Sequence, residues 1–192
     1  MKTGRIIVIV APSGTGKSTL IEKLQRDRPN IRWSVSCTTR PKREGEVDSE
    51  DYFFITKEEF IRRKDNNEFI EWALVHSNYY GTLKSTIDES VENGQVVLLD
   101  LDVQGCDSVK KLYGADAQII FIEPPSIEVL EKRLRDRGTE TNAVIEERLN
   151  NARSELKRSK DYDYRVVNDE FERAYKELKR VVDEIILEEK NV

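Results

Sequence analysis

The sequence predicts an α/β fold: a doubly wound parallel-sheet core built around a phosphate-binding loop (P-loop), with an inserted, mostly antiparallel lobe and a helical lid. Three observations carry that prediction. Ile6 to Val10 is an uninterrupted β-branched run, as expected of a strand buried on both faces of a parallel sheet, and comparable runs recur at Val96 to Leu99, Ile119 to Ile122 and Arg165 to Val167. Helical patterns alternate with these runs, which is the order of a doubly wound core. Two stretches, about 33–91 and about 126–160, break the rhythm and leave a core of about 1–32, 92–125 and 161–192 within a single domain.

In chain order, the first strand runs into Ala11-Pro12-Ser13-Gly14-Thr15-Gly16-Lys17-Ser18, and a helical pattern follows over Lys17 to Arg26. This is the P-loop pattern in its proper context, with Ala11 in place of the first glycine. Gly14 and Gly16 permit backbone conformations that aim several N–H groups inward, and the helix adds its positive N-terminal end, giving a cage for polyphosphate. Lys17 is placed to reach the β and γ phosphates and Ser18 to ligate Mg²⁺. The run Val96 to Leu99 ends in Asp100, an acidic residue where it can hold the metal's water shell, although acidic residues also end strands as solvated turns. Asp102 follows two residues on, so strand geometry predicts that both side chains point the same way, one serving metal and the other substrate.

The inserted stretch contains short aromatic and β-branched segments, Trp33 to Ser36, Tyr52 to Ile55 and Phe69 to Val75, and a helix opened by the capping pair Thr56 and Glu59. It carries Ser34-Val35-Ser36-Cys37-Thr38-Thr39-Arg40-Pro41-Lys42-Arg43-Glu44-Gly45-Glu46 and then Asp51-Tyr52-Phe53-Phe54. Two arginines and a tyrosine can bind a phosphate, since Arg matches its oxygens in a fork. The Arg-Pro-Lys-Arg loop reads equally as a solvated basic turn. The second stretch runs from Pro124-Pro125-Ser126 through two strongly charged helical segments, parted by Gly138-Thr139, to about Lys160. It is too polar for core, hence the lid. The last helix shows Phe171, Leu178, Val181, Val182, Ile185 and Ile186 on one face, with Asp169 and Glu172 as its capping box.

Composition narrows the classes of function. The chain has 192 residues, 32 basic against 37 acidic, and a net charge of -5 with the signs interspersed. That argues against a general nucleic-acid binder while leaving room for a local basic pocket. Cys37 and Cys106 are the only cysteines and His76 the only histidine, so a disulfide, a zinc site or histidine-based catalysis is not expected. No apolar run approaches the ~20 residues that span a bilayer, and no signal-peptide pattern opens the chain. A reduced, cytoplasmic protein without a membrane partner is the expectation.

The blocks just quoted, with Asn67-Glu68-Phe69-Ile70-Glu71-Trp72, Asn78-Tyr79-Tyr80-Gly81-Thr82, Asp100-Leu101-Asp102-Val103-Gln104-Gly105 and Arg137-Gly138-Thr139-Glu140, resemble the guanylate kinase family from nearly end to end. The resemblance implies that the inserted lobe binds GMP. Arg40, Arg43, Tyr52 and Tyr80 would hold its phosphate, and Ser36, Glu71, Thr82 and Asp102 would read the guanine. It further implies ATP at Ala11, Pro12, Ser13, Gly14, Thr15, Gly16, Lys17, Ser18 and Thr19, with Asn168 beside the adenine. The lid arginines Arg133, Arg137 and Arg148 would close over the ATP phosphates; Arg133 and Arg137 lie one helical turn apart, and without the resemblance all three read as solvated helix charge. Lys17, Arg40, Arg137 and Arg148 are the candidate catalytic residues, and Ser18 and Asp100 the candidate Mg²⁺ ligands. Ala11 and Ser77 depart from glycines common at these positions.

The implied reaction is ATP + GMP to ADP + GDP, in purine metabolism. A phosphate oxygen already ionised at neutral pH needs no general base, so positioning and charge neutralisation suffice. Lobe and lid are expected to close and exclude water. Two alternatives stand beside this: a guanylate-kinase-like module that binds protein and not substrate, and a P-loop kinase for another phosphorylated acceptor. The first usually shows a damaged P-loop, whereas Gly16, Lys17, Ser18 and Asp100 are intact. A monomer or weak homo-oligomer is expected.

Overall fold

The computed structural model describes residues 4–75, 77–136, 138 and 141–188. Its strands are β1 (Arg5–Val10), β2 (Arg32–Trp33), β3 (Cys37–Thr38), β4 (Phe53–Phe54), β5 (Phe69–Val75), β6 (Asn78–Leu83), β7 (Val96–Asp100), β8 (Ala117–Glu123) and β9 (Tyr164–Val167). The α-helices are α1 (Lys17–Asp27), α2 (Lys57–Asp65), α3 (Lys84–Glu92), α4 (Val103–Tyr113), α5 (Ile127–Asp136), α6 (Asn142–Lys157) and α7 (Phe171–Glu188). A five-stranded sheet has the order β2-β7-β1-β8-β9, in which the chain passes from β1 to the edge strand β2, returns to fill the gap with β7, and then runs outward through β8 and β9 on the other side; the pairs β2–β7 and β8–β9 are parallel. A second sheet has the order β4-β3-β6-β5, with β3–β6 and β5–β6 antiparallel and β3–β4 parallel. The core is therefore doubly wound α/β, and the second sheet is mostly antiparallel.

The backbone divides into two compact units: Met1–Ile6, Arg32–Leu99 and Gln104–Ala117 in one, Ile7–Ile31, Asp100–Val103 and Gln118–Val192 in the other. In the first, the second sheet closes over Cys37, Phe60, Phe69 and Leu83, with Phe60 stacked on Phe69 (4.4 Å between ring centroids) and on Tyr79 (5.1 Å). Stacked aromatics add about 0.5–1.5 kcal/mol each beyond their area burial. Thr56 caps α2, its hydroxyl accepting the Glu59 N–H at 3.1 Å, while the Glu59 carboxylate turns outward to Arg62 and Arg63. Half of the expected box is formed, because two guanidinium partners outcompete one backbone N–H for that carboxylate. Trp33, expected at the start of the lobe, lies on β2 of the parallel sheet, opposite Leu98. Two residues are too few to show a periodicity.

In the second unit, the parts of β1 and β8 that it contains, Ile7 to Val10 and Gln118 to Glu123, are almost wholly buried, as their β-branched runs require. Helix α7 buries Ala174, Tyr175, Leu178, Val181, Val182 and Ile185, each large aliphatic side chain contributing about 1.5–3 kcal/mol. Phe171 and Ile186, expected on that face, are only half-buried. Asp169 sits just outside the N-cap: its carboxylate takes the Glu170 N–H at 2.6 Å and pairs with Arg173, so the expected box with Glu172 is not formed. The α5–α6 pair, expected to be too polar for a core, has one of its own in Leu130, Leu134, Ile145, Leu149 and Ala152. Leucines at i and i+4 make a narrow stripe that the surrounding charge conceals.

Candidate active site

Strand β1 delivers the chain into the P-loop at Ala11. Thr15, fully buried, folds the loop back on itself: its hydroxyl and its N–H both donate to Pro12 O, at 2.6 and 3.2 Å. Gly14 and Gly16 have φ of +90° and +93°, a region that side-chain-bearing residues rarely enter. Both also lack room. A Cβ on Gly14 would meet Leu134 Cδ2 at 2.7 Å, and one on Gly16 would meet Asn168 Nδ2 at 2.6 Å. Gly16 caps α1, so the first N–H groups of that helix open into the loop.

The loop residues Ala11 to Thr19 line a cavity of about 390 Å³ together with Asp102 and Glu155. Lys17 Nζ pairs with the Asp100 carboxylate and donates to Leu101 O at 3.1 Å. Strand β7 ends at Asp100; Leu101 and Asp102 form the link to α4. The alternation of a strand therefore does not set the direction of Asp102, contrary to expectation. From α6, Arg148 Nη1 donates to Ser13 Oγ at 2.7 Å. Glu155, one further heptad along α6, had no assigned role; its carboxyl is pushed above the ordinary range by burial, then by the Asp102 charge, with Lys17 opposing. Nothing in local sequence distinguishes it from the solvated charges around it.

A second cavity, also about 390 Å³, is lined by Gly14, Thr15, Gly16, Thr19, Arg133, Asp136, Asn168 and Phe171. Asn168 is buried and its Nδ2 donates to Thr15 O at 2.7 Å. Arg133 donates to Thr15 O at 3.3 Å and to Asn168 O at 2.9 Å. Both residues expected at the nucleotide thus also brace the loop. Arg137 lies outside the described residues.

The other candidate site is built on the second sheet. Register places Glu71 opposite Thr82 and Thr38 opposite Tyr80, so Tyr80 and Thr82, two apart on β6, share a face. Thr82 donates to Glu71 Oε1 at 2.7 Å, and its hydroxyl lies 3.2 Å from that of Ser36. Hydroxyl, hydroxyl and carboxylate form one chain. Arg40 stands over the rings of Tyr52 (5.6 Å) and Phe54 (5.7 Å), and Tyr52 meets Tyr80 edge to face at 6.0 Å. The structure thereby brings Arg40, Tyr52 and Tyr80 together, and Ser36, Glu71 and Thr82 together. Arg43 joins through its backbone: its N–H donates to Glu46 Oε2 at 2.7 Å. Glu46 also grips Arg40, at 2.7 and 3.0 Å. That partnership holds the Glu46 carboxyl down at about 2 and raises the Arg40 guanidinium, with the Tyr80 hydroxyl adding to the latter. Ser77, which stands where glycine is common, has φ +70°, which accounts for that preference.

A doubly wound core, a glycine-bearing loop between β1 and α1 and a lysine at the helix start define a P-loop nucleotide-binding protein. The family model for guanylate kinase matches residues 3–185. A guanylate kinase of Symbiobacterium thermophilum is 46% identical over 179 residues, 93% of this chain and 84% of its own length. One from Thermotoga maritima is 47% identical over 171 residues, 89% of this chain and 82% of its own. The crystal structure of guanylate kinase from Anaplasma phagocytophilum superposes with a TM-score of 0.67 at 33% identity, covering 95% of this chain and 86% of that one. The chain belongs to the guanylate kinase family.

Proposed function

We propose that this protein transfers the γ-phosphoryl group of ATP to GMP, giving ADP and GDP. The observation that carries the acceptor is the Ser36–Thr82–Glu71 chain on the same sheet as the Arg40, Tyr52 and Tyr80 cluster. Guanine offers N1–H and a 2-amino group as donors and O6 as acceptor, which suits a carboxylate and hydroxyls. Asp102 is assigned to the same base by resemblance. Arg40, Arg43, Tyr52 and Tyr80 hold the acceptor phosphate, and Ala11 to Thr19, Arg133 and Asn168 bind ATP.

Lys17 exchanges its Asp100 partner for the β and γ phosphates and neutralises charge that develops during transfer. Arg148, already hydrogen-bonded to Ser13 of the loop, reaches the same phosphates. Ser18 and Asp100 are hard oxygen donors, but two are too few for a site made of protein alone. That suits Mg²⁺, which one or two carboxylates hold together with substrate phosphates. Held by Ser18 and Asp100, Mg²⁺ would act as a Lewis acid and screen the charge of the substrate phosphates. Among the described residues no helix is long and apolar enough to cross a membrane. We place the activity in the cytoplasm, carried by a monomer or a weak homo-oligomer with small nucleotides as partners.

The test is kcat/KM for a panel of acceptors. Adenine would set a lone pair against the Glu71 carboxylate and lacks the 2-amino donor, so GMP should exceed AMP by about 10⁴-fold. Glu71→Ala should erode that preference chiefly by harming GMP. Comparable values for AMP and GMP in the wild type would remove the guanine assignment and leave a P-loop kinase for another acceptor.

A further inference from the structure

We propose that Glu46 is a positioning residue for the acceptor phosphate: it holds one edge of the Arg40 guanidinium and so presents the other to the phosphate. This rests on the reading of Arg40 as a phosphate ligand. A free arginine side chain has many rotamers, and its fork helps binding only when something fixes its plane. In this structure that plane is fixed from several sides. Nη1 and Nη2 donate to the two Glu46 carboxylate oxygens at 3.0 and 2.7 Å, and Nη1 also donates to Pro41 O at 2.8 Å. The rings of Tyr52 and Phe54 lie within 6 Å of the guanidinium carbon.

The inventory of donors then decides the geometry. A guanidinium has five N–H groups, two on each terminal nitrogen and one on Nε. Glu46 and Pro41 take both of Nη1 and one of Nη2. What remains is the Nε–Nη2 edge, shared with the hydroxyl of Tyr80, itself a proposed phosphate ligand, and of the kind that grips a phosphate. Glu46 is itself pinned. Besides Arg40 it accepts the Arg43 N–H at 2.7 Å, and its own N–H donates to Arg43 O at 3.3 Å across a turn in which Gly45 has φ +88°. The Arg40–Glu46 pair therefore ties residues 40–46 into one ring that carries both arginines of the proposed phosphate site. The low carboxyl pKa, about 2, keeps Glu46 charged throughout the neutral range.

The experiment compares wild type with Glu46→Gln, Glu46→Ala, Arg40→Ala and the Arg40→Ala/Glu46→Ala double variant of the full chain. KM for GMP, KM for ATP, kcat and Tm are measured for each. Arg40→Ala should raise KM for GMP by about 100-fold, as loss of a bidentate phosphate contact does. Glu46→Ala should raise it by about tenfold and Glu46→Gln by about threefold, with kcat and KM for ATP within about twofold, because only the acceptor's contact is misaligned. In the Arg40→Ala background the Glu46→Ala effect should shrink below about twofold, since the two act as one unit. If Arg40→Ala leaves KM for GMP unchanged, the phosphate reading itself fails. If it raises KM while both Glu46 variants leave it unchanged or lower it, the role of Glu46 fails alone. A full tenfold cost of Glu46→Ala in the Arg40→Ala background would likewise overturn it, by showing that Glu46 acts through the loop.

Discussion

Thr82→Val removes one oxygen from the centre of the proposed guanine site and almost nothing else. Valine is isosteric and suits a strand, so β6 should keep its pairing with β3 and β5. What is lost is the donor to Glu71 Oε1 at 2.7 Å and the hydroxyl partner of Ser36 at 3.2 Å, in a side chain that is only 1% exposed. A hydrogen bond to a charged group contributes about 1.5–3 kcal/mol, and the half-buried Glu71 keeps some access to water, so the lower part of that range applies. About 1.5–2 kcal/mol corresponds to a 10- to 30-fold rise in KM for GMP if it appears in binding. In the free protein it corresponds to a fall in Tm of about 3–8 °C. Thr82→Ser is the control: it keeps the hydroxyl and loses a methyl, so KM for GMP should stay within about twofold although Tm falls. Steady-state kinetics at saturating ATP, with scanning calorimetry of the free proteins, would measure both. Thr82→Val with an unchanged KM for GMP, or Thr82→Ser as impaired as Thr82→Val, would refute the reasoning.

Lys17→Ala should lower kcat by at least about 10²-fold while leaving GMP binding intact, since removing one donor to developing charge typically costs that much; kcat within threefold of wild type at saturating ATP would sink the P-loop assignment. Leu134→Ala, at a position 1% exposed in the α5–α6 core, should cost about 3 kcal/mol. Hydrogen exchange should show it first in α5 and α6, and protection unchanged in both helices would contradict a separate core there. Cys37 and Cys106 are both buried, and burial pushes the Cys37 thiol up to about 11. A disulfide reagent at pH 8 should therefore find both thiols slow in the native protein and both fast in urea. One rapid equivalent without denaturant would be inconsistent with that burial.

The parts legible in the sequence are those whose signal is local. The buried runs of β1, β7 and β8, the glycines of the P-loop and the Thr56 cap each announce themselves within about ten residues. The second sheet was legible as an interruption of rhythm, but not its boundary at Trp33, because β2 is two residues long. Partnerships across distance were not legible. Glu46 stood in plain view in the Arg40 loop, yet nothing in the run of letters says that it closes on Arg40 and not on Lys42 or solvent. Glu155 was hidden among neighbours of the same polarity and the leucine stripe of α5 among charged ones, and only packing separates them.

Gly14 answers two demands at once, a positive φ and the space that Leu134 and Leu130 fill. These demands are independent, which bears on how the loop can vary. A smaller residue at 134 would relieve the crowding of a new Cβ at 14 but not its backbone strain, and would empty part of the α5–α6 core besides. No single second-site change supplies both remedies. Suppressors of a Gly14 substitution should accordingly be rare in a genetic screen, and those that arise should restore the glycine itself.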